Sequence, residues 1–310
     1  MRILITGGLG FIGSNLAKKL EAVGHEIHIF DRIRFTRERY YRGDLNDYYS
    51  LERTFEKAQP QVVLHLAAMV SRKESEETPD MAIATNAGGT FHICALSLKH
   101  RARLIYAGSS EEYGAALHGS AIVTEDTPFG EPTGLYSMTK RMAEEVVQYF
   151  AHYKGLKATT TRFFMLYGPG EEPTDYRSAL IRFTYNALLG KPLIVHKGTE
   201  RSWCFIDDAT EALKIIVEKK QKGNYEVFNI GRSESIPTEI LAKKIVNICR
   251  SASKIVKISP EHTVIPVKRA SFRKAKEVLG WEAKKPLDVG LREVAKWMRQ
   301  YIKMQGRKSP

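Results

Sequence analysis

The chain has 310 residues, of which 43% are hydrophobic and 27% charged, as in ordinary globular proteins. This length predicts one large domain or two smaller ones. The sequence contains no run of about eighteen apolar residues, which excludes a membrane span. Three cysteines far apart in the sequence, Cys94, Cys204 and Cys249, exclude a disulfide framework and favour a reducing cytoplasm. We expect no secretory leader, because the N-terminus enters a strand-like run at once.

The net charge of +13 is concentrated at one end of the chain. Residues 241–310 contain 18 basic and 5 acidic residues, whereas the rest of the chain is balanced. Aromatic residues are not interleaved with the basic ones as a stacking platform requires. The pattern therefore favours a solvated helical surface over a nucleic-acid partner. No His, Cys, Asp and Glu cluster has metal-ligand spacing, and His65, inside an apolar strand, is expected to be a core residue.

Strands and helices alternate along the first half of the chain. The hydrophobic pattern predicts, in order, a strand over 2–6, a helix through Leu16, Leu20 and Val23, a strand over 25–31, a polar turn region over 32–42, a helix over 51–58, a strand over 62–68, a helix over 81–99, a strand over 103–110, a helix over 136–153 and a strand over 157–168. Such alternation indicates an α/β fold with a doubly wound parallel sheet of the Rossmann type.

A glycine-rich turn joins the first strand to the first helix. Gly7, Gly10 and Gly13 form G-x-x-G-x-x-G, and Asp31 ends the second strand. Glycine permits a tight turn and lets the backbone approach a pyrophosphate at a helix N-terminus. A carboxylate at the end of the second strand accepts ribose hydroxyls and repels a 2′-phosphate, which predicts NAD rather than NADP despite the neighbouring Arg32.

The rhythm of the sequence changes after residue 166. We predict an NAD-binding domain over 1–166, with a return segment near 205–231, and a smaller mixed α/β substrate-binding domain over 167–310. The segment 241–310 has a mainly helical pattern, with Trp281 and Trp297 as expected anchors.

A tyrosine and a lysine four residues apart mark the predicted catalytic helix. Tyr136 and Lys140 lie on one face of that helix. The ammonium beside the phenol is expected to lower the pKa of Tyr136 and make it a general base near neutral pH. Ser109, at the carboxyl end of a parallel strand, is expected to bind the same substrate oxygen.

These motifs, in this order, resemble the extended short-chain dehydrogenases/reductases, specifically the NAD-dependent sugar-nucleotide epimerases and dehydratases. The resemblance rests on GGLGFIG (7–13), Asp44-Leu45, HLAA (65–68), NAGGT (86–90), SSEEYG (109–114), YSMTK (136–140), YGPG (167–170) and LGW (279–281). With the glycine loop, it implies that NAD is held by Gly7, Gly10, Phe11, Ile12, Gly13, Asp31, Arg32, Asp44, Leu45, Leu66, Ala67, Ala68, Asn86, Tyr136 and Lys140.

The resemblance implies transient oxidation of a nucleotide sugar and leaves the reaction open. Our leading hypothesis is a 4-epimerase of a UDP-hexose. The alternatives are a UDP-glucuronate decarboxylase or a 4,6-dehydratase in which Glu111 is the base, although Ser110 stands where dehydratases have an aspartic acid. A non-catalytic NAD-sensing protein is a further alternative, which the presence of Ser109, Tyr136 and Lys140 disfavours.

Substrate binding is expected at Ser109, Ser110, Tyr136 and Arg201. Arg201 resembles the family arginine that binds the nucleotide diphosphate, and a guanidinium fork suits phosphate oxygens. Two family features are missing. Met165 replaces a common asparagine, and the usual Arg-Pro-Gly-Asp segment is absent from residues 261–271, where Arg269 is the candidate substitute.

The resemblance also implies a homodimer. Its interface would be formed by the helices over 86–99 and 136–153. The predicted apolar faces of these helices are Phe91, Cys94, Leu98, Val146 and Phe150.

Overall fold

The computed structural model describes residues 1–118, 121–174, 177–260 and 266–306. The strands are β1 (Arg2–Thr6), β2 (Glu26–Asp31), β3 (Tyr40–Arg42), β4 (Val62–His65), β5 (Arg103–Ser109), β6 (Ala158–Phe163), β7 (Leu166–Tyr167), β8 (Leu193–His196), β9 (Glu200–Ser202), β10 (Cys204–Phe205), β11 (Tyr225–Ile230), β12 (Ser235–Pro237) and β13 (Ile255–Ile258). The α-helices are α1 (Phe11–Ala22), α2 (Tyr48–Ala58), α3 (Arg72–Glu77), α4 (Pro79–Ile83), α5 (Gly89–Lys99), α6 (Leu135–Lys154), α7 (Ala179–Leu188), α8 (Ile206–Glu218), α9 (Thr238–Cys249) and α10 (Leu287–Gly306).

Seven parallel strands of the described chain form the central sheet, in the order β11-β6-β5-β4-β1-β2-β3. The inner strands β4 and β6 are buried along their whole length because helices cover both faces. Apolar side chains of α1 and α8 pack on one face, and those of α2, α5 and α6 pack on the other. The predicted doubly wound fold is therefore confirmed, and the carboxyl ends of β4, β5 and β6 lie side by side.

Three predicted segments differ from the structure in their strand content. The polar region over 32–42 ends in β3, a three-residue edge strand too short and too exposed to give a hydrophobic signal. The expected strand over 62–68 ends at His65, and that over 157–168 is split because Met165 has a φ of 36°. The last two differences lie at the carboxyl ends of β4 and β6, where the chain leaves the sheet.

The predicted helix over 81–99 contains a π-helical turn, Ala84–Gly88, between α4 and α5. The amide of Asn86 accepts a hydrogen bond from the Met69 N–H (2.8 Å) and donates to the Met69 carbonyl (3.0 Å) and the Thr139 hydroxyl (2.9 Å). The widened turn aims the Asn86 side chain at the segment after β4 and at α6. Such turns often mark functional sites.

The C-terminal region is a mixed α/β layer around its own apolar cluster, in which α7, α9 and α10 pack with the strands β8 and β13. The stretch 241–310 is thus less helical than predicted, since it includes β13. Trp297 packs in this cluster, whereas Trp281 packs against the sheet and donates a hydrogen bond to the Asp208 carbonyl (2.9 Å). No helix of the described residues is long and apolar enough to cross a membrane.

His65 is a buried core residue, as its apolar strand predicted. Its ring nitrogens are hydrogen-bonded to the hydroxyls of Thr6 (2.7 Å) and Thr90 (3.1 Å). Burial lowers the pKa of His65 to about 3, so the imidazole is neutral. Among the described residues, no group of His, Cys, Asp or Glu could hold a metal ion.

Candidate functional site

The β1–α1 turn fits a dinucleotide pyrophosphate. Gly7 has a φ of 68°, and a Cβ there would lie 2.7 Å from the backbone nitrogen of Ala67; a Cβ on Gly13 would collide with the Gly7 carbonyl. Helix α1 begins after Gly10 without a side-chain cap, so the N–H groups of its first turn face the loop. Phe11 and Ile12, in that turn, line the adjoining cleft. Backbone donors at a helix N-terminus suit a phosphate anion.

Asp31 is held at the end of β2 by the backbone. Its carboxylate accepts hydrogen bonds from the N–H groups of Leu9 (3.0 Å) and Ile33 (3.2 Å), which fixes it beside the glycine loop. The Arg32 side chain that follows is exposed. Remaining lone pairs on the carboxylate can accept ribose hydroxyls, in keeping with the predicted preference for NAD.

Asp44 and Leu45 lie beyond β3 on the same side of the sheet. The Asp44 carboxylate accepts a hydrogen bond from the Asn46 N–H (2.9 Å), and Leu45 is buried against Gly89. Nearer the centre of the sheet, the segment after β4 brings Leu66 and Ala68 to the cleft.

A cleft of about 1070 Å³ opens at the carboxyl ends of β4, β5 and β6, between the sheet and the C-terminal region. Ligands in doubly wound sheets bind at this edge. The five predicted catalytic residues all line it: Ser109, Ser110, Glu111, Tyr136 and Lys140. Residues from segments far apart in the sequence are thus brought together as expected.

Tyr136 is a neutral phenol in this structure. Burial raises the pKa of Tyr136 well above its ordinary value; the negative charge of Glu111 raises it further, and the hydrogen bond with Ser109 lowers it by less than burial raises it. The Lys140 ammonium donates to the Ala107 carbonyl (2.7 Å) and lies 4.2 Å from the centre of the Tyr106 ring. The prediction that Lys140 lowers the pKa of Tyr136 is therefore wrong here, because the ammonium is directed to another partner.

Glu111 forms an ion pair with the buried Lys268, which the sequence analysis missed. Burial raises the pKa of Glu111, but the charges of Lys268, Arg72 and Arg201 outweigh it, so the pKa is lowered and the carboxylate is ionised. Arg269, the candidate substitute for the missing Arg-Pro-Gly-Asp segment, is exposed, and its role in substrate binding stays a prediction. Lys268 meets Glu111 only through tertiary packing, which no local sequence pattern indicates.

A family model with the description "NAD dependent epimerase/dehydratase family" matches residues 3–231. The chain belongs to this family. A UDP-N-acetyl-alpha-D-glucosaminuronate decarboxylase from Bacillus cytotoxicus is 30% identical, over 96% of this chain and 98% of that protein. UDP-glucuronate 4-epimerase 1 from Arabidopsis thaliana is 25% identical, over 96% of this chain and 77% of its own length.

Solved structures agree with this assignment. A UDP-glucose 4-epimerase from Thermotoga maritima, with UDP-glucose, has a TM-score of 0.87 and 28% identity, and the match covers 97% of this chain and 100% of that one. MoeE5, in complex with UDP-glucuronic acid and NAD, has a TM-score of 0.88 and 26% identity, with the same coverage. The cofactor of the family is NAD, which the glycine loop, Asp31 and the segment after β4 fit.

Met165 departs from the family pattern that the sequence analysis used, whereas Arg201 matches that pattern but contacts other groups in this structure. Met165 lines the cleft where an asparagine is common, so a thioether replaces an amide. Arg201 donates to the backbone carbonyls of Glu200 (2.8 Å) and Pro266 (2.7 Å) and acts electrostatically on Glu111. Arg201 therefore faces the Glu111–Lys268 pair, and its predicted role at the diphosphate stays a prediction.

Five basic and four acidic residues, the acidic ones including Glu76 and Glu77, line the cleft, so its lining carries a small excess of positive charge. Arg72, Lys73, Arg177 and Arg182 line it, in addition to Lys140. Of the acidic lining residues, Glu171 is buried, and burial raises its pKa to about 7, so it is partly neutral near that pH. Positive potential in a cleft attracts anionic ligands.

Proposed function

We propose that this chain decarboxylates a UDP-linked hexuronate by way of a 4-keto sugar. The observation that carries the proposal is the convergence of the Ser109–Tyr136 hydrogen bond and the ionised Glu111 in one cleft. Our sequence analysis placed 4-epimerisation first. The surroundings of Glu111 move decarboxylation ahead of it.

The chain's own groups handle the protons. Tyr136 Oη and Ser109 Oγ, hydrogen-bonded to each other, are the pair that would receive the sugar 4-hydroxyl and accept its proton. Burial lowers the pKa of Lys140 to about 8, so this lysine can exchange protons near neutral pH. NAD, when bound, supplies the electron acceptor for the sugar carbon.

Glu111 is the reason to expect chemistry at C5. A 4-keto hexuronate is a β-keto acid, which loses CO₂ and leaves an enolate that must gain a proton at C5. The Glu111–Lys268 pair joins a carboxylate that lines the cleft to a buried, proton-bearing ammonium. Burying such charges costs free energy, and inversion at C4 alone makes no use of them.

The basic residues that line the cleft support the choice of an acidic substrate. A UDP-hexuronate carries negative charge at the diphosphate and at the sugar carboxylate. The guanidinium groups of Arg72, Arg177 and Arg182 suit both kinds of oxygen. Dehydration is less favoured, since Ser110 offers a hydroxyl rather than a carboxylic acid for the leaving group.

The second candidate is 4-epimerisation of the same substrate. Lys268 already donates to the Glu111 carboxylate. If this bond persists when substrate is bound, Glu111 takes no part in proton transfer, and the Ser109 and Tyr136 hydroxyls suffice for inversion at C4. The 25% identical UDP-glucuronate 4-epimerase supports this reading.

Product analysis separates the two reactions. Purified protein with NAD is incubated with UDP-glucuronate, UDP-N-acetylglucosaminuronate, UDP-glucose and GDP-mannose, and the products are identified by NMR. Decarboxylation predicts release of CO₂ and a UDP-pentose from a uronate; inversion without CO₂ would establish the second candidate.

Tyr136→Phe should lower turnover about 1000-fold while NAD still binds. NAD binding without turnover of any substrate would indicate a non-catalytic sensor.

We further propose a homodimer in the cytoplasm. Cys94, Cys204 and Cys249 are free thiols, as a reducing compartment allows. Of the predicted interface residues, Cys94 and Phe150 are buried in the chain's own core, and Phe91 is half exposed on α5. The dimer surface would therefore be centred on Phe91, Tyr149 and Tyr153.

A further inference from the structure

Two carboxyl groups lie buried behind the cleft. Glu112 follows Glu111 in the 3-10 helical segment Ser110–His118, and Glu144 lies on α6; neither side chain has any exposed surface. Two adjacent carboxylates cannot both ionise without large cost. Arg162 binds Glu144, with Nε 2.9 Å from Oε2, but its Nε is 3.7 Å from Glu112 Oε2. The guanidinium therefore neutralises the charge of Glu144, whereas Glu112 Oε2 lies beyond hydrogen-bond distance of it.

The two oxygens of Glu112 have different surroundings. Oε1 accepts a hydrogen bond from the Ser109 N–H (2.9 Å). Oε2 is buried and has no donor, so as a carboxylate oxygen it would be unsatisfied. A proton on Glu112 removes this difficulty, because the acid can then donate to Glu144. Burial and the negative charge of Glu144 raise the pKa of Glu112 well above its ordinary value, which agrees with that arrangement.

We propose that Glu112 is a neutral positioning residue, a carboxylic acid that ties the turn bearing Ser109 and Glu111 to helix α6. The helix carries Tyr136, Lys140 and Glu144 at four-residue spacing, so all three share one face. A bond from Glu112 to Glu144 fixes this face relative to the Ser109 backbone. The distance between the Ser109 and Tyr136 hydroxyls is set by that link.

The groups facing Glu112 come from four elements. They are Tyr106 on β5, Tyr136, Lys140 and Glu144 on α6, Arg162 on β6 and, through Glu144, Tyr225 on β11. Lys140 and Arg162 favour an ionised Glu112, but Glu144 and burial oppose it more strongly. Glu112→Gln preserves the neutral arrangement, since its amide oxygen can accept from Ser109 and its NH₂ can donate to Glu144.

The kinetic test compares Glu112→Gln with Glu112→Ala and rests on the proposed function for its substrate. The glutamine variant should keep kcat within about threefold of wild type, the scale of one net hydrogen bond. The alanine variant should lose about 100-fold in kcat with little change in KM, the scale of a misplaced catalytic group. Glu145→Gln, an exposed neighbour on α6, is the control. Equal damage in both Glu112 variants, or none in alanine, would overturn the proposal.

A second measurement needs no substrate, so its failure is distinguishable from failure of the proposed function. A raised pKa means that native wild type keeps a proton that the unfolded chain releases, so wild-type stability falls as pH rises toward that pKa. Relative to Glu112→Gln, the wild-type Tm should fall as pH rises above about 5, just past the ordinary pKa of a glutamate. A Tm difference independent of pH would show that Glu112 is ionised and contradict the proposal. This comparison also stands if the alanine variant fails to fold.

Discussion

At the scale of single residues, Tyr136 and Glu111 line the same cleft, but their pKa values are shifted in opposite directions. Burial raises the pKa of Tyr136, whereas Lys268, Arg72 and Arg201 outweigh burial and lower that of Glu111. Pairs of neighbouring groups whose pKa values are shifted in opposite directions are typical of sites of acid–base catalysis. The sequence identified the residue types but not these states, because Lys268 is 157 positions from Glu111 and meets it only through tertiary packing.

Replacing Lys268 tests the state of Glu111 through stability. A carboxyl with a lowered folded pKa contributes stability that is present above its unfolded pKa and lost as pH falls through the folded value. Lys268→Met should therefore lower the free energy of unfolding by about 3 kcal/mol at pH 7. The loss should shrink toward about pH 4, where Glu111 in the variant gains a proton.

Urea unfolding from about pH 4 to about pH 7 measures this dependence. Lys276→Met, which removes an exposed ion pair with Glu282, is the control and should change stability by less than about 1 kcal/mol. A Lys268→Met loss that is the same at every pH would mean that Glu111 is not held ionised by this lysine.

At the scale of elements, local signals were sufficient for β1, α1 and β2. Their hydrophobic periods and glycines are short-range features, and the turn fits a pyrophosphate as predicted. The break in the expected helix over 81–99 was not predictable, since it depends on hydrogen bonds from Asn86 to residues of two other segments.

Gly13→Ala tests the β1–α1 turn. The added Cβ would collide with the Gly7 carbonyl, so the turn must open and its N–H groups move. We expect NAD affinity to fall at least about 100-fold, the equivalent of about 3 kcal/mol. Gly88→Ala is a matched helical control, since its Cβ would meet nothing within 4 Å. Calorimetric titration with NAD measures both; unchanged affinity in Gly13→Ala would place the pyrophosphate elsewhere.

At the scale of the whole molecule, the open question is assembly. Helices α5 and α6 pack side by side and expose Phe91, Tyr149 and Tyr153, with Phe91 edge-on to Phe150 at 5.4 Å. The helical pattern predicted an apolar face but could not show which residues the chain covers itself. Exposed aromatic groups on adjoining helices favour burial against a second copy.

Phe91→Glu should convert the proposed dimer to a monomer, because a carboxylate would be buried at the centre of the interface. Sedimentation equilibrium gives the mass directly. Ile240→Glu, on α9, changes an exposed apolar residue away from this surface and should leave the mass unchanged. A wild-type monomer, or a Phe91→Glu dimer, would contradict the proposed interface.

The central claim is that the sugar is oxidised and reduced at C4 within this cleft. Its most direct test is competition between UDP-glucuronate and the same compound deuterated at C4, with the product analysed by NMR and mass spectrometry. The account predicts that the unlabelled substrate is consumed faster and that deuterium from the labelled one is found at C4 of the product. Equal rates of consumption, or loss of the deuterium to water, would contradict it.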